Sequence, residues 1–469
     1  MGLTLTGYND LPGFEGITLV EERIPYNAAC FLATLGIVFF VGFLYEKWLY
    51  RIPMNILLAL ACIGSGIVSL CWLRVTLPVP ESDQLAVFNC AKEYLQGATW
   101  MFDKGGYMSI YQNNLGLMTV HVLLIKLFGE TAFVQFQILL GLAVPLLVLS
   151  GYKITGYLTE DKKAQFIYLF LAVMCIPMYC YTTFVYNDLL STVLVMVTAW
   201  TLLSCHRDFK LYKLLLLGIL SGITVAIRTN TVIVFIAFGI VLLVNMLREQ
   251  KGRMAAMVLS IVLGIVMIHG LMVWHYQIPE NADSVPAMAY INMGLHDGNI
   301  GPGWYDGSSL AMFTDSGFDA TATTATARAE IRVQMEQNKK DMGAFSDFLK
   351  RKMATQWESP MYQCFAMSRQ YKETAKDWVR GLYDRNALAI ALERIMKCYQ
   401  LLVYGGILVV LIRILVSRKQ LSIMYYCLLL ATFGGFLFSM MWEAKTRYVF
   451  PYFLMLIPYA AMLFSGKRK

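Results

Sequence analysis

PESDQLAVFNCAKEYLQGATWMFDKGGYMSIYQNNLGLMTVHVLLIKLF, from Pro80 to Phe128, is the stretch on which the reading of the whole chain turns. It follows a long apolar run and opens with Glu81, Ser82, Asp83 and Gln84, polar residues expected at a membrane surface. An amphipathic segment comes next, with Leu85, Phe88, Ala91, Tyr94 and Leu95 on one face. Glycines, tyrosines and asparagines follow, and then NLGLMTVHVLLIKLF, which is too short to cross a bilayer comfortably and carries His121 and Lys126. A carboxylate held at the lip of such a region is placed to take a proton from a hydroxyl group.

Working outward, the 469 residues are 58% apolar and only 15% charged, with a mean hydropathy of +0.55. Soluble domains carry roughly a quarter charged residues, so this composition indicates a polytopic membrane protein. Apolar runs suited to helical spans fall near 27–49, 52–76, 132–151, 165–182, 189–204, 212–227, 230–247, 254–274, 399–416, 421–441 and 449–465. The expected fold is all-α, with about eleven transmembrane helices, juxtamembrane helices and one large external loop subdomain. By this reading 1–274 is an amino-terminal transmembrane module containing the first external loop (77–131). Residues 275–397 form the loop subdomain, with helical stretches near 323–340 and 343–357, and 398–469 the last spans.

The net charge of +8 does not indicate nucleic acid, because the basic residues sit in short loops between apolar runs. They collect at Lys47/Arg51, Lys153/Lys162/Lys163, Arg207/Lys210/Lys213, Arg248/Lys251/Arg253, Arg413/Arg418/Lys419 and Lys467–Lys469. Placing all six groups in the cytoplasm puts the amino terminus outside, and it works only if 113–128 dips into the membrane edge and returns, or lies along it. The ten cysteines have no metal-type spacing and read as packing residues. No basic region precedes the first apolar run, so no cleavable signal peptide is expected.

Three kinds of residue then fall on the outer side. The acids Asp83 and Asp188 lie within a few residues of span ends. The cations Arg228, Lys445 and Arg447 break the positive-inside pattern, and a guanidinium fork matches phosphate oxygens. Tyr107, Tyr111, Asn113, Asn114, Trp304 and Tyr448 stand near these charges, as interfacial belt residues or as sugar-stacking and hydroxyl-bonding groups. The middles of the spans hold essentially no acids, which disfavours an ion-coupled transporter. There is no P-loop, HExxH, GxSxG or CxxC.

With these residues in view, the chain resembles the GT-C superfamily of multi-span glycosyltransferases, near the bacterial relatives of protein O-mannosyltransferase and lipid A aminoarabinose transferase. Asp83 follows a span and precedes an amphipathic helix ending in Gly97, as the family's first-loop aspartate does. Tyr107 to Gly129 is similar to the family's entry into a juxtamembrane helix, with Gln112-Asn113-Asn114 where many relatives have prolines. VYNDLLS at Val185–Ser191 matches the second external loop, and Arg447-Tyr448 with Pro451 and Pro458 resembles a late arginine-tyrosine element. The resemblance implies a polyprenyl-phosphate sugar donor, a glycan, lipid or protein hydroxyl acceptor, and an extracytoplasmic site in a bacterial plasma membrane. It implies Asp83 as general base, inversion at the anomeric carbon, and Arg447 with Lys445 or Arg228 on the leaving phosphate. Asp188 would orient the acceptor, hold an arginine or ligate a divalent ion, and the metal question stays open. A flippase or transporter of lipid-linked saccharides is the competing reading.

Overall fold

A computed structural model of the chain describes residues 3–8, 15–20, 24–248, 251–280, 282–369, 372–417 and 421–465. Arg418, Lys419 and the tail Lys467–Lys469, expected in cytoplasmic segments, lie outside the described residues. The first feature was not anticipated: strands β1 (Leu3–Tyr8) and β2 (Glu15–Val20) pair antiparallel, with Leu3 opposite Val20 and Tyr8 opposite Glu15. LTLTGY and EGITLV alternate apolar and polar residues and are rich in β-branched side chains, which suits a pleated pair.

Among the described residues all the other regular elements are helical. Helices α1 (Ile24–Lys47) and α2 (Met54–Thr76) come first. Pro53 presets the backbone at the start of α2, and Leu77 ends it in the left-handed region at φ 43°. The first external loop holds α3 (Ser82–Leu95), the short α4 (Tyr107–Ile110) and α5 (Leu115–Phe128). Then come α6 (Ala132–Leu158), α7 (Lys162–Val173), α8 (Ile176–Cys180), α9 (Asn187–Arg207), α10 (Leu211–Ile227), α11 (Val232–Arg248) and α12 (Lys251–Tyr276). Asp161 caps α7 by accepting from the backbone N–H groups of Lys163 (2.7 Å) and Ala164 (3.2 Å). The large loop folds into α13 (Ala287–Gly294), α14 (Ser308–Asp315), α15 (Ala320–Lys340), α16 (Met342–Trp357), α17 (Cys364–Ser368) and α18 (Asp377–Tyr383). Helices α19 (Ala387–Ser417), α20 (Cys427–Met441) and α21 (Phe450–Ala461) complete the chain. The start of α19 at Ala387 lies within the stretch counted with the loop, because Glu393, Arg394 and Lys397 interrupt its apolar pattern.

Among the described residues eight segments are long and apolar enough to cross a membrane, nine if α7 and the segment Ile176–Thr183, bent by 51°, count as one. The chain is a multi-pass membrane protein. The expected count of about eleven included Leu211–Ile227 and the last helix, both apolar but shorter than the rest.

Gln112–Leu158 is one continuous apolar stretch but not one straight rod. His121 and Phe136 would stand about 22 Å apart along an unbroken helix. Their ring centroids are 5.1 Å apart, so α5 turns back beside α6. The reversal is at Gly129, whose φ of +59° with ψ of −133° is open only to glycine. The segment 113–128 therefore packs back against the start of α6 instead of continuing its line.

This fold-back keeps the helices in register, end for end. At one end Lys163 pairs with Glu46 at 2.8 Å, Tyr157 Oη meets His206 Nδ1 at 2.9 Å, and Arg413 donates to the Leu463 carbonyl at 2.9 Å. The described basic groups at the ends of α1, α9, α11 and α19 gather there. About 30 Å away along α9, the other end carries the first external loop, the large loop and the residues described next.

Candidate functional site

Asp188 organises the far end. It lies in the first turn of α9, 2% exposed, and both of its oxygens are occupied. Arg228, just past the end of α10, donates from Nη1 to Asp188 Oδ1 and, at 3.3 Å, to Asn187 Oδ1. Arg447, in a single 3₁₀ turn between α20 and α21, donates from Nη1 to Asp188 Oδ2 at 3.0 Å. Both arginines are 7% exposed. Aromatic faces surround them: Arg447 lies 5.4 Å from the ring centres of Phe184 and Tyr186, and Arg228 lies 5.2 Å from that of Tyr448.

Arg228, Arg447 and Lys445 against the carboxylates of Asp188 and Glu443 leave this cluster with one positive charge in excess. Burying a charge is costly unless it is paired, so this arrangement favours an additional anion beside the arginines. A cavity lies against Arg228, between α9, α11, α20 and α21, with about 540 Å³ of unfilled space, part of it continuous with open solvent. Its polar part is lined by Arg228, Ser191, Thr192, Asn230, Gln356, Ser439, Glu443 and Tyr448. Its apolar part is lined by Val195, Val234, Phe438, Val449 and Met455. Charge at one side and hydrocarbon at the other suit an amphiphile with an anionic head.

Asp83 is exposed in the first turn of α3 and accepts a hydrogen bond from Tyr107 Oη at 3.2 Å. Burial raises the Tyr107 phenol far above its ordinary value, and the neighbouring Tyr186 and Asp83 add to this, so Tyr107 stays a donor. A row of contacts joins Asp83 to the arginines. The rings of Tyr107 and Tyr111 lie 5.1 Å apart, Tyr305 neighbours Tyr111, and Lys445 lies 5.2 Å from the Tyr305 ring centre. Lys445 pairs with Glu443 at 3.4 Å, Tyr448 Oη donates to Glu443 Oε2 at 3.5 Å, and the Tyr448 ring faces both arginines. On the other flank Gln84 accepts from the Val185 N–H at 2.8 Å, and Tyr186 Oη donates to Asn114 Oδ1 at 3.0 Å. Asn113 Nδ2 reaches Asn114 Oδ1 at 3.4 Å.

The structure thus places Asp83, Tyr107, Tyr111, Asn113, Asn114, Asp188, Arg228, Lys445, Arg447 and Tyr448 at one end of the bundle, and of these Arg228 and Tyr448 line the cavity. One expectation needs correction. Trp304 has no face to offer a sugar: it is 1% exposed, its indole N–H donates to Thr355 Oγ1 at 3.0 Å, and its backbone bridges to Ala444. Of the three roles open to Asp188, holding an arginine is the one its contacts display, since both oxygens accept from guanidinium N–H groups. Among the described residues no three His, Cys, Asp or Glu side chains cluster as a metal site. Sequence reasoning also passed over Ser191 and Thr192, which sit one turn after Asp188 and were within reach of helical periodicity. Gln356 comes from the large loop and gave no such signal.

No family model and no curated protein matches the chain. Among solved structures it is similar to the oligosaccharyltransferase of Archaeoglobus fulgidus, crystallised with zinc and sulfate, at 14% identity and a TM-score of 0.38. That likeness covers 74% of this chain and 40% of the archaeal one, and at this TM-score it carries no inference.

Proposed function

We propose that the chain is a membrane glycosyltransferase that moves a sugar from a polyprenyl-phosphate donor to a hydroxyl acceptor on the extracytoplasmic face of a bacterial plasma membrane. The observation that carries this reading is the buried, net-positive Arg228–Asp188–Arg447 group beside an amphiphilic cavity, at the same end as the exposed Asp83. All eleven apolar helices cross the membrane in this reading, with the basic loops in the cytoplasm.

Asp83 takes the acceptor's hydroxyl proton while that oxygen bonds to the anomeric carbon from the face opposite the phosphate. The bond from that carbon to the phosphate oxygen breaks, polyprenyl phosphate leaves with the electron pair, and the configuration inverts. Arg228 meets the phosphate from the cavity wall, and Arg447 and Lys445 add positive potential where charge develops. Asp188 holds the two guanidiniums in place. Tyr107 orients the Asp83 carboxylate. Tyr448 fixes the faces of the arginines, and Tyr111, Asn113 and Asn114 support the acceptor side.

Asp83→Asn tests the assignment. Purified protein should still bind the lipid-linked sugar and lose roughly 10²–10⁴-fold in transfer. Normal transfer by this variant would move the base elsewhere. Translocation of the intact lipid-linked saccharide without transfer by the wild type would identify a flippase instead.

A further inference from the structure

The 3₁₀ turn bearing Arg447 belongs to a connector, Trp442–Val449, that has little regular structure of its own. Helix α16 and the Gly303-Trp304 pair grip it and the end of α20. Ala444 N–H donates to the Gly303 carbonyl at 2.7 Å, and Thr446 Oγ1 donates to the Thr355 carbonyl at 2.9 Å. Gln356 Nε2 donates to the Ser439 carbonyl at 3.1 Å, and Trp357 Nε1 to Ser439 Oγ at 2.9 Å. At the centre of this grip is Lys352, with 0% of its surface exposed. Its Nζ donates to the carbonyls of Trp442 (2.7 Å), Met440 (3.1 Å) and Gly294. Three acceptors match the three protons of an ammonium group, and the neutral amine still donates to two of them. Two of them close α20, where unsatisfied carbonyls and the helix dipole favour a cation. Gly303, at φ +74°, leaves room for this: a Cβ there would meet Lys352 Cε at 2.7 Å.

We propose that Lys352 is a positioning residue of the site, its caged amine setting the connector so that Arg447 reaches Asp188. Lys352 does not line the cavity and so acts through the backbone it holds. The catalytic part of this inference rests on the glycosyltransferase reading; the mechanical part does not.

Hydrogen–deuterium exchange of the full-length protein in lipid nanodiscs tests the mechanical part without any substrate. In Lys352→Met, which fills the space but donates nothing, exchange at the Ala444 and Arg447 amides should quicken about tenfold or more, with the first turns of α9 unchanged. The transfer assay should then show a raised donor KM with a smaller change in acceptor KM. Lys352→Ala removes what n-propylammonium would replace, so that ion should restore slow exchange to Lys352→Ala and not to Lys352→Met. Wild-type exchange in Lys352→Met, or no restoration of Lys352→Ala by the ion, overturns the proposal. Should both variants fail to fold, competitive acetylation of the wild type decides: Lys352 should react far more slowly than the exposed Lys350, and equal rates would overturn the cage. Loosened exchange with no sugar transfer by any protein, wild type included, would reject the enzyme reading and leave the positioning role standing.

Discussion

The two ends of the bundle use the same residue types to opposite effect. At the end crowded with basic loops, Lys163 meets Glu46, and Lys210 and Lys213 meet Asp208, with Glu46 and Asp208 more than half exposed. At the other end, Asp188, Arg228 and Arg447 are almost wholly buried and enclosed by aromatic rings. Solvent screens the first set, so each pair is worth little. The second set has given up its hydration and depends on each partner remaining in place. A charge cluster that is costly to bury is the one expected to have a function. The exposed end needs only to be cationic to fix orientation.

The largest effect should come from removing the shared carboxylate. Asp188→Ala leaves two guanidiniums facing each other in a buried site and should cost about 3–5 kcal/mol, read as loss of folded protein in a thermal-unfolding assay. Near-normal stability would mean that the arginines reach water and are not a committed cluster. Next is Arg447→Ala, which should raise the donor KM more than the acceptor KM; equal changes would make Arg447 structural.

A pH series sharpens the contrast from a third position. Burial pushes the Lys352 amine down to about 7, against the pull of neighbouring Glu443. An unfolded chain keeps that proton to about pH 10.5. Between these values the unfolded state binds the extra proton, so stability rises with pH. Wild type should therefore gain on Lys352→Met by about 1 kcal/mol per pH unit above pH 7. A constant difference would mean that the three carbonyls outweigh desolvation and hold the amine near its ordinary value. The smallest effect belongs to the exposed end: Lys163→Ala should cost no more than about 1 kcal/mol and lose even that in high salt.

Much of this contrast was legible in the sequence. Loop charges pointed to 113–128 as a segment that does not cross, and the fold shows a reversal at Gly129 directly after it. Arg228 and Arg447 stood out because cations on the outer side break a rule. Asp188 stood out as well, with holding an arginine among its roles, but not as the partner of both, since it is 40 positions from Arg228 and 259 from Arg447 and no local pattern joins such distances. Trp304 was misread for a related reason: an aromatic in a glycine-rich turn looks like a surface ring until α16 is seen to cover it. The amino-terminal hairpin carried a period-two alternation in residues that were read only for their lack of a basic region.

The most direct measurement is native mass spectrometry of the protein released from its own membranes, comparing wild type, Asp83→Asn and Arg228→Ala for a bound polyprenyl-phosphate sugar. Wild type and Asp83→Asn should both retain the lipid, and Arg228→Ala should lose it. Equal retention by all three would contradict an anionic lipid head held at the buried arginines.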